Sequence, residues 1–154
     1  SDSMLYETIR LAQKSPSTCN RQCTRIYLIT NNTLIQEILN IQGGTRGFGK
    51  QVQKLFLIAG DLKACLSPTD RNQVWVDAGM FAMSLLYALQ YKGLGACILH
   101  WAVERKRDLK IRQLAGIKPE HTVICLIGVG HLTETFKVPR SQRKGLSEIL
   151  TIVE

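Results

Sequence analysis

The sequence is 154 residues long, 45% hydrophobic and 21% charged. That is about one domain's worth of chain, and it is too apolar for a disordered one. Twenty Lys and Arg against twelve Asp and Glu give a formal charge of +8, which favours anionic partners: nucleic acid, a phosphorylated cofactor or an acidic membrane face. The most apolar run, Met80 to Leu89, falls well short of the ~20 residues that cross a bilayer. The first residues show neither the basic nor the apolar region of a signal peptide. The expectation is a cytoplasmic protein.

In chain order, Ser3 to Lys14 reads as a helix, with Leu5, Ile9 and Ala12 at helical spacing and Asp2 or Ser3 as its cap. Ser15-Pro16-Ser17 ends it, because the residue before a proline avoids the helical region. Arg25 to Thr30, rich in β-branched and aromatic residues, reads as a strand, and Thr33 to Asn40 as a short helix. A glycine-rich loop, Gly43 to Gly49, leads to a second strand, Lys54 to Ala59. The longest helix, Asn72 to Tyr91, is apolar on nearly every side. Such a helix is buried all round, and a chain this small cannot enclose it alone, which points to a dimer. Gly93-Leu94-Gly95 stops it, and Ala96 to Leu99 follows as a strand. A basic helix, Arg105 to Ala115, precedes a last strand, Thr122 to Val129. The tail carries Arg140, Arg143 and Lys144, then Leu146 to Val153. The alternation never settles into a regular βαβ series, so the fold class is α+β.

Most motif searches end in exclusion. Gly44 to Lys50 nearly matches a phosphate-binding P-loop, but Gln51 stands where Ser or Thr would hold magnesium, and a strand follows instead of a helix. Gly93-Leu-Gly95 and Gly128-Val-Gly130 lack the context of a dinucleotide fingerprint. Cys19, Cys23, Cys65, Cys97 and Cys125 are odd in number, and Cys97 and Cys125 in apolar runs read as buried reduced thiols. No second cysteine pair or nearby histidine completes a metal site around Cys19 and Cys23, and no nucleophile elbow or carboxylate pair stands out. If the protein is an enzyme, a cofactor does the chemistry.

The segment Ser15-Pro16-Ser17-Thr18-Cys19-Asn20-Arg21-Gln22 lies between a helix and a strand and offers polar side chains and backbone N–H groups to a ligand. This turn, the strand after it, the apolar helix closing in Gly-Leu-Gly, the next strand and the late basic loop together resemble the nitroreductase family of flavin mononucleotide (FMN) enzymes. The resemblance runs from the first helix to Leu150. It implies a mostly antiparallel central sheet flanked by helices, with the long helix at the interface of a homodimer and FMN at each end of that interface. It further implies that Pro16, Ser17, Thr18, Asn20 and Gln22 hold FMN or its turn, and that Leu99, His100 and Trp101 meet the isoalloxazine. Arg140, Arg143 and Lys144 would meet the phosphate, and Phe48 to Gln51 would border the ring or phosphate. NADH or NADPH would be the electron donor, and a nitroaromatic, quinone or similar small molecule the acceptor.

The sequence also departs from the family pattern. Family members carry an Arg-Arg-Ser-like segment ahead of the first helix, and this sequence starts at the helix. The expectation is a single domain, 1–154, shortened at its N-terminus. Cys23 and Thr24 follow Gln22 where the family has Pro and an aromatic residue, and His100-Trp101 replaces an acidic residue and Gly. An alternative is a protein of this fold that has lost the cofactor or needs the missing segment to bind it. A second alternative, resting only on the charge, is a basic nucleic-acid-binding module, which would bind in a steeply salt-dependent way.

Overall fold

The computed structural model describes residues 2–153. Four strands, β1 (Thr24–Ile29), β2 (Lys54–Asp61), β3 (Leu94–His100) and β4 (His121–His131), form one antiparallel sheet in the order β1-β2-β4-β3. The two central strands carry near-continuous apolar runs because both their faces are covered. Leu55, Phe56, Leu57 and Ile58 of β2 and Leu126 and Ile127 of β4 are fully buried. Burying each such side chain stabilises the fold by about 1.5–3 kcal/mol.

The sheet separates two layers of helices. Helices α1 (Asp2–Ala12) and α3 (Gln73–Tyr91) belong to the layer built on Phe56, Ile58 and Ile127. Helices α2 (Asn32–Gln42) and α4 (Arg105–Ala115) belong to the layer built on Leu55, Leu57 and Leu126. Asn31 caps α2 by accepting from the Leu34 N–H at 3.0 Å, and Gly43, at φ 81°, ends it in the left-handed conformation. Helix α1 begins at Asp2, so the residues expected to cap it lie in its first turn. Gly93 terminates α3 at φ 72°, but β3 starts at Leu94, so the expected breaker Gly95 is already inside the strand.

Helix α3 is apolar around its circumference as expected, yet its own chain covers only one side. Val74, Ala78, Phe81, Ala82, Leu85 and Leu89 are buried, whereas Trp75, Val76, Met80, Met83, Tyr87 and Tyr91 are exposed. Its approach to the sheet is close at Gly60, where a β-carbon would fall 2.0 Å from Cγ1 of Val74. The tail contains a short helix, α5 (Leu146–Ile149), and every residue from 131 to 153 is exposed. Its Phe136, Val138, Leu150, Ile152 and Val153 are among the exposed apolar side chains.

The five thiols are free. Cys125 is buried and its pKa is pushed up to about 11 by that burial. Cys97, expected to be buried, is instead exposed: β3 is an edge strand, and the chain leaves Ala96, Cys97 and Ile98 uncovered. Among the described residues, no helix is long and apolar enough to cross a membrane.

Candidate functional site

The polar turn is a built structure. A single 3-10 turn over Thr18–Asn20 brings the chain from α1 into β1, and Cys19, Asn20 and Gln22 adopt positive φ of 50°, 52° and 50°. Left-handed backbone costs a non-glycine residue roughly 1–2 kcal/mol, so something must hold the turn. That anchor is Asp77, one helical turn into α3 and only 3% exposed. Its carboxylate accepts from the Thr18 backbone N–H at 3.0 Å, from the Thr18 hydroxyl at 3.3 Å and from Gln73 Nε2 at 2.8 Å. The Cys23 thiol points at it from 3.7 Å, and burial first, then this negative neighbour, raises the Cys23 pKa. Within the turn, Ser17 Oγ accepts from the Gln22 N–H at 3.1 Å, and Gln22 Nε2 donates to the Asn20 carbonyl at 3.3 Å. Pro16, Asn20 and Gln22 remain exposed. A cavity of about 280 Å³ opens beside them, lined by Pro16, Ser17, Gln22, Arg25, Asp77 and Phe81 among others.

Leu99, His100 and Trp101 leave the sheet at the far end of β3. The Leu99 side chain is buried in the layer that also holds α2 and α4, so only its backbone is available to a ligand. His100 is exposed, and its carbonyl accepts from Nε2 of the buried Gln42 at 3.3 Å. Gln42 Oε1 in turn accepts from the Gly44 N–H at 2.6 Å, tying the glycine-rich loop to this corner. Trp101 is half-buried and donates its indole N–H to Asp108 at 2.9 Å. Burial raises the Asp108 pKa, but the bonds from Arg112 and Trp101 outweigh it and hold the carboxyl below its ordinary range.

A run of polar contacts joins this corner to the turn along one end of the sheet. Arg112 donates to Asp108 at 2.6 Å and to the His121 carbonyl at 2.7 Å. His121 is 6% exposed, with its Nε2 3.9 Å from Asp61. Arg25 bridges Asp61, at 2.9 Å, and the Gln22 carbonyl, at 2.7 Å. The Tyr27 hydroxyl accepts from the Lys118 N–H at 3.2 Å and shares a hydrogen bond of 2.6 Å with His121 Nδ1. Desolvation holds the His121 pKa below its usual value, with Asp61 offsetting part of the effect.

The predicted site residues do not converge within one protomer. The turn borders β1 and His100 ends β3, on opposite edges of the sheet, three interstrand steps or roughly 14 Å apart. Arg140, Arg143 and Lys144 are exposed on the tail, which leaves β4 past His131, the partner of Leu94 at the other end of β3. The Arg143 guanidinium touches only the nearby carbonyls of Ser141 and Gln142. Phe48 and Gln51 line a different cavity, about 270 Å³, with Gly95, Cys97, Leu132 and Val138. Sequence reasoning missed Asp77 and Gln42. A lone acid within an apolar helix was the one available signal for Asp77, and Gln42 gave none.

Antiparallel sheet and flanking helices place the chain in the α+β class. The model of the nitroreductase family matches residues 40–131, and the chain belongs to that family. The match spans β2 to β4 and leaves the turn and the tail outside it. Among solved structures, a nitroreductase family protein from Streptococcus pneumoniae is 18% identical, with a TM-score of 0.80 over 98% of this chain and 89% of that one. A nitroreductase with bound FMN from Desulfitobacterium hafniense is 20% identical, with a TM-score of 0.73 over 100% and 88%. An FMN-dependent nitroreductase from Clostridium difficile is 17% identical, with a TM-score of 0.75 over 91% and 81%. Comparison with curated protein sequences gave no match.

Proposed function

We propose that the protein is an FMN-dependent oxidoreductase acting as a homodimer, with NADH or NADPH as donor and a nitroaromatic, quinone or similar small molecule as acceptor. The observation that carries this reading is the turn clamped by buried Asp77 beside a cavity, in a chain of the nitroreductase family.

The donor set fits the cofactor. Pro16, Ser17, Thr18, Asn20 and Gln22 present polar groups on a backbone already fixed by Asp77, so little ordering cost remains for binding. The backbone at Leu99, His100 and Trp101 would hold the ring edge, with Gln42 and Asp108 fixing that segment. Arg140, Arg143 and Lys144 form no ion pair with a described residue, and guanidinium groups match phosphate oxygens bidentately. Bound FMN would supply the redox chemistry. The three groups lie at three corners of one protomer, so a complete site needs a second copy. The exposed stripe Trp75, Val76, Met80, Met83, Tyr87 and Tyr91, with the apolar tail, is the surface such a copy would cover. Nucleic acid and membrane have no part in this reading.

A visible spectrum of the purified protein with its solution mass tests cofactor and dimer together. The expected result is flavin absorbance and a mass of two chains. Protein that stays colourless after reconstitution with excess FMN refutes the reading.

A further inference from the structure

Two sequence features lie outside the flavin site as proposed above: the first part of the glycine-rich loop that fails as a P-loop, Gly43 to Gly47, and the basic run at the start of α4. The fold sets them side by side. A groove of about 730 Å³ between α2 and α4 is lined by Asn40, Lys106, Arg107 and Lys110, with Glu37 and Glu104. A neighbouring one of about 610 Å³ shares Asn40 and is lined by Gly43, Thr45, Arg46 and Lys50. The two meet at Gly43, where a β-carbon would lie 3.9 Å from Arg107 Nη1.

Arg46, Lys50, Arg105, Lys106, Arg107 and Lys110 are all exposed, and none forms an ion pair with a described residue. Three of them crowd the first turn of α4, the end at which the helix dipole disfavours cations. Glu104 at the N-cap and Asp108 in that turn offset part of the cost, and a bound anion would offset more of it.

We propose that this face binds the phosphate-bearing adenosine half of the reduced dinucleotide and favours the 2′-phosphorylated form, NADPH. The inference rests on the oxidoreductase reading above. Position supports it: Gln42 bonds both the His100 carbonyl and the Gly44 N–H, and Gly43, between Gln42 and Gly44, lines the second groove, which ties that groove to the corner proposed for the flavin ring. A donor whose nicotinamide lies there directs its other half along Gly43 toward Arg46 and Arg107. Composition supports it too. Glu37 and Glu104 interrupt the cations, which suits discrete phosphates separated by ribose hydroxyls that carboxylates can accept from. A continuous polyanion such as RNA meets repulsion at both carboxylates.

The test is calorimetric titration of the purified protein with 2′,5′-ADP and with 5′-AMP, which lacks the 2′-phosphate. It is run on wild type, on the double variant Lys106→Glu/Arg107→Glu and on the control Lys118→Glu. The 2′-phosphorylated nucleotide binds more tightly to wild type, and the double variant weakens it by about tenfold or more, the loss expected for a charge-assisted contact. The control leaves it unchanged. In turnover, the ratio of kcat/KM for NADPH over NADH falls by a similar factor in the double variant while flavin absorbance stays constant. Equal binding of the two nucleotides overturns the proposal, as does indifference to the double variant or a single-stranded oligonucleotide that outcompetes 2′,5′-ADP. A protein that binds 2′,5′-ADP through these residues but takes up no FMN refutes the oxidoreductase reading and leaves the groove standing.

Discussion

Replacing Asp77 with alanine removes the acceptor that fixes the polar turn. The Thr18 N–H, the Thr18 hydroxyl and the Gln73 amide lose their bonds of 3.0, 3.3 and 2.8 Å at once. A hydrogen bond to a charged group contributes about 1.5–3 kcal/mol, but Thr18 and Gln73 are half-buried, and water takes over part of what they lose. A total near 3 kcal/mol follows, offset by roughly 0.5 kcal/mol because alanine is the better helix former. The net loss of about 2.5 kcal/mol lowers the melting temperature by ~5–10 °C for a chain of this size. Asp77→Asn retains one acceptor oxygen and falls between the two. Thermal denaturation by circular dichroism measures the stability, and FMN titration measures whether the left-handed residues still present the site. Cofactor affinity falls by at least about tenfold if the turn must be re-ordered on binding. An Asp77→Ala protein that melts with wild type and binds FMN equally well refutes the role given to this carboxylate.

Two further outcomes follow from burial. Because the folded His121 pKa lies below the ordinary histidine value, the unfolded chain takes up the proton first. Stability is therefore full above about pH 6.5 and declines as pH falls through the range between the two values. His121→Gln flattens that part of a denaturation-against-pH curve, and an unchanged slope refutes the assignment. In thiol labelling of the native protein, exposed Cys19 reacts while buried Cys125, with its pKa near 11, waits for unfolding. Labelling of Cys125 at the rate of Cys19 contradicts the packing of β4.

Local order was more legible in the sequence than long-range order. The β-branched runs at Arg25 and Lys54 and the apolar span from Asn72 to Tyr91 disclosed their elements because burial on one or two faces constrains residue type directly. The strand order β1-β2-β4-β3 did not show, since it depends on pairings between distant segments. Cys97 misled for the same reason: an apolar strand looks alike in the middle of a sheet and at its edge. The turn residues Pro16 to Gln22 could be singled out as polar groups between two elements, but not the acid that anchors them. Asp77 lies 59 positions after Thr18, and only the packing of α3 brings them together.

The tight seat of α3 on the sheet makes hydrogen at Gly60 a spacer. Any larger group there would wedge against Val74, which lies three positions before Asp77 on the same helix. A methyl added at Gly60, which pairs with Thr24 just past the turn, would thus push on α3 and shift where Thr18 finds its carboxylate one helical turn along. The geometry of the polar turn is in this sense gauged by an atom that carries no polarity and makes no hydrogen bond.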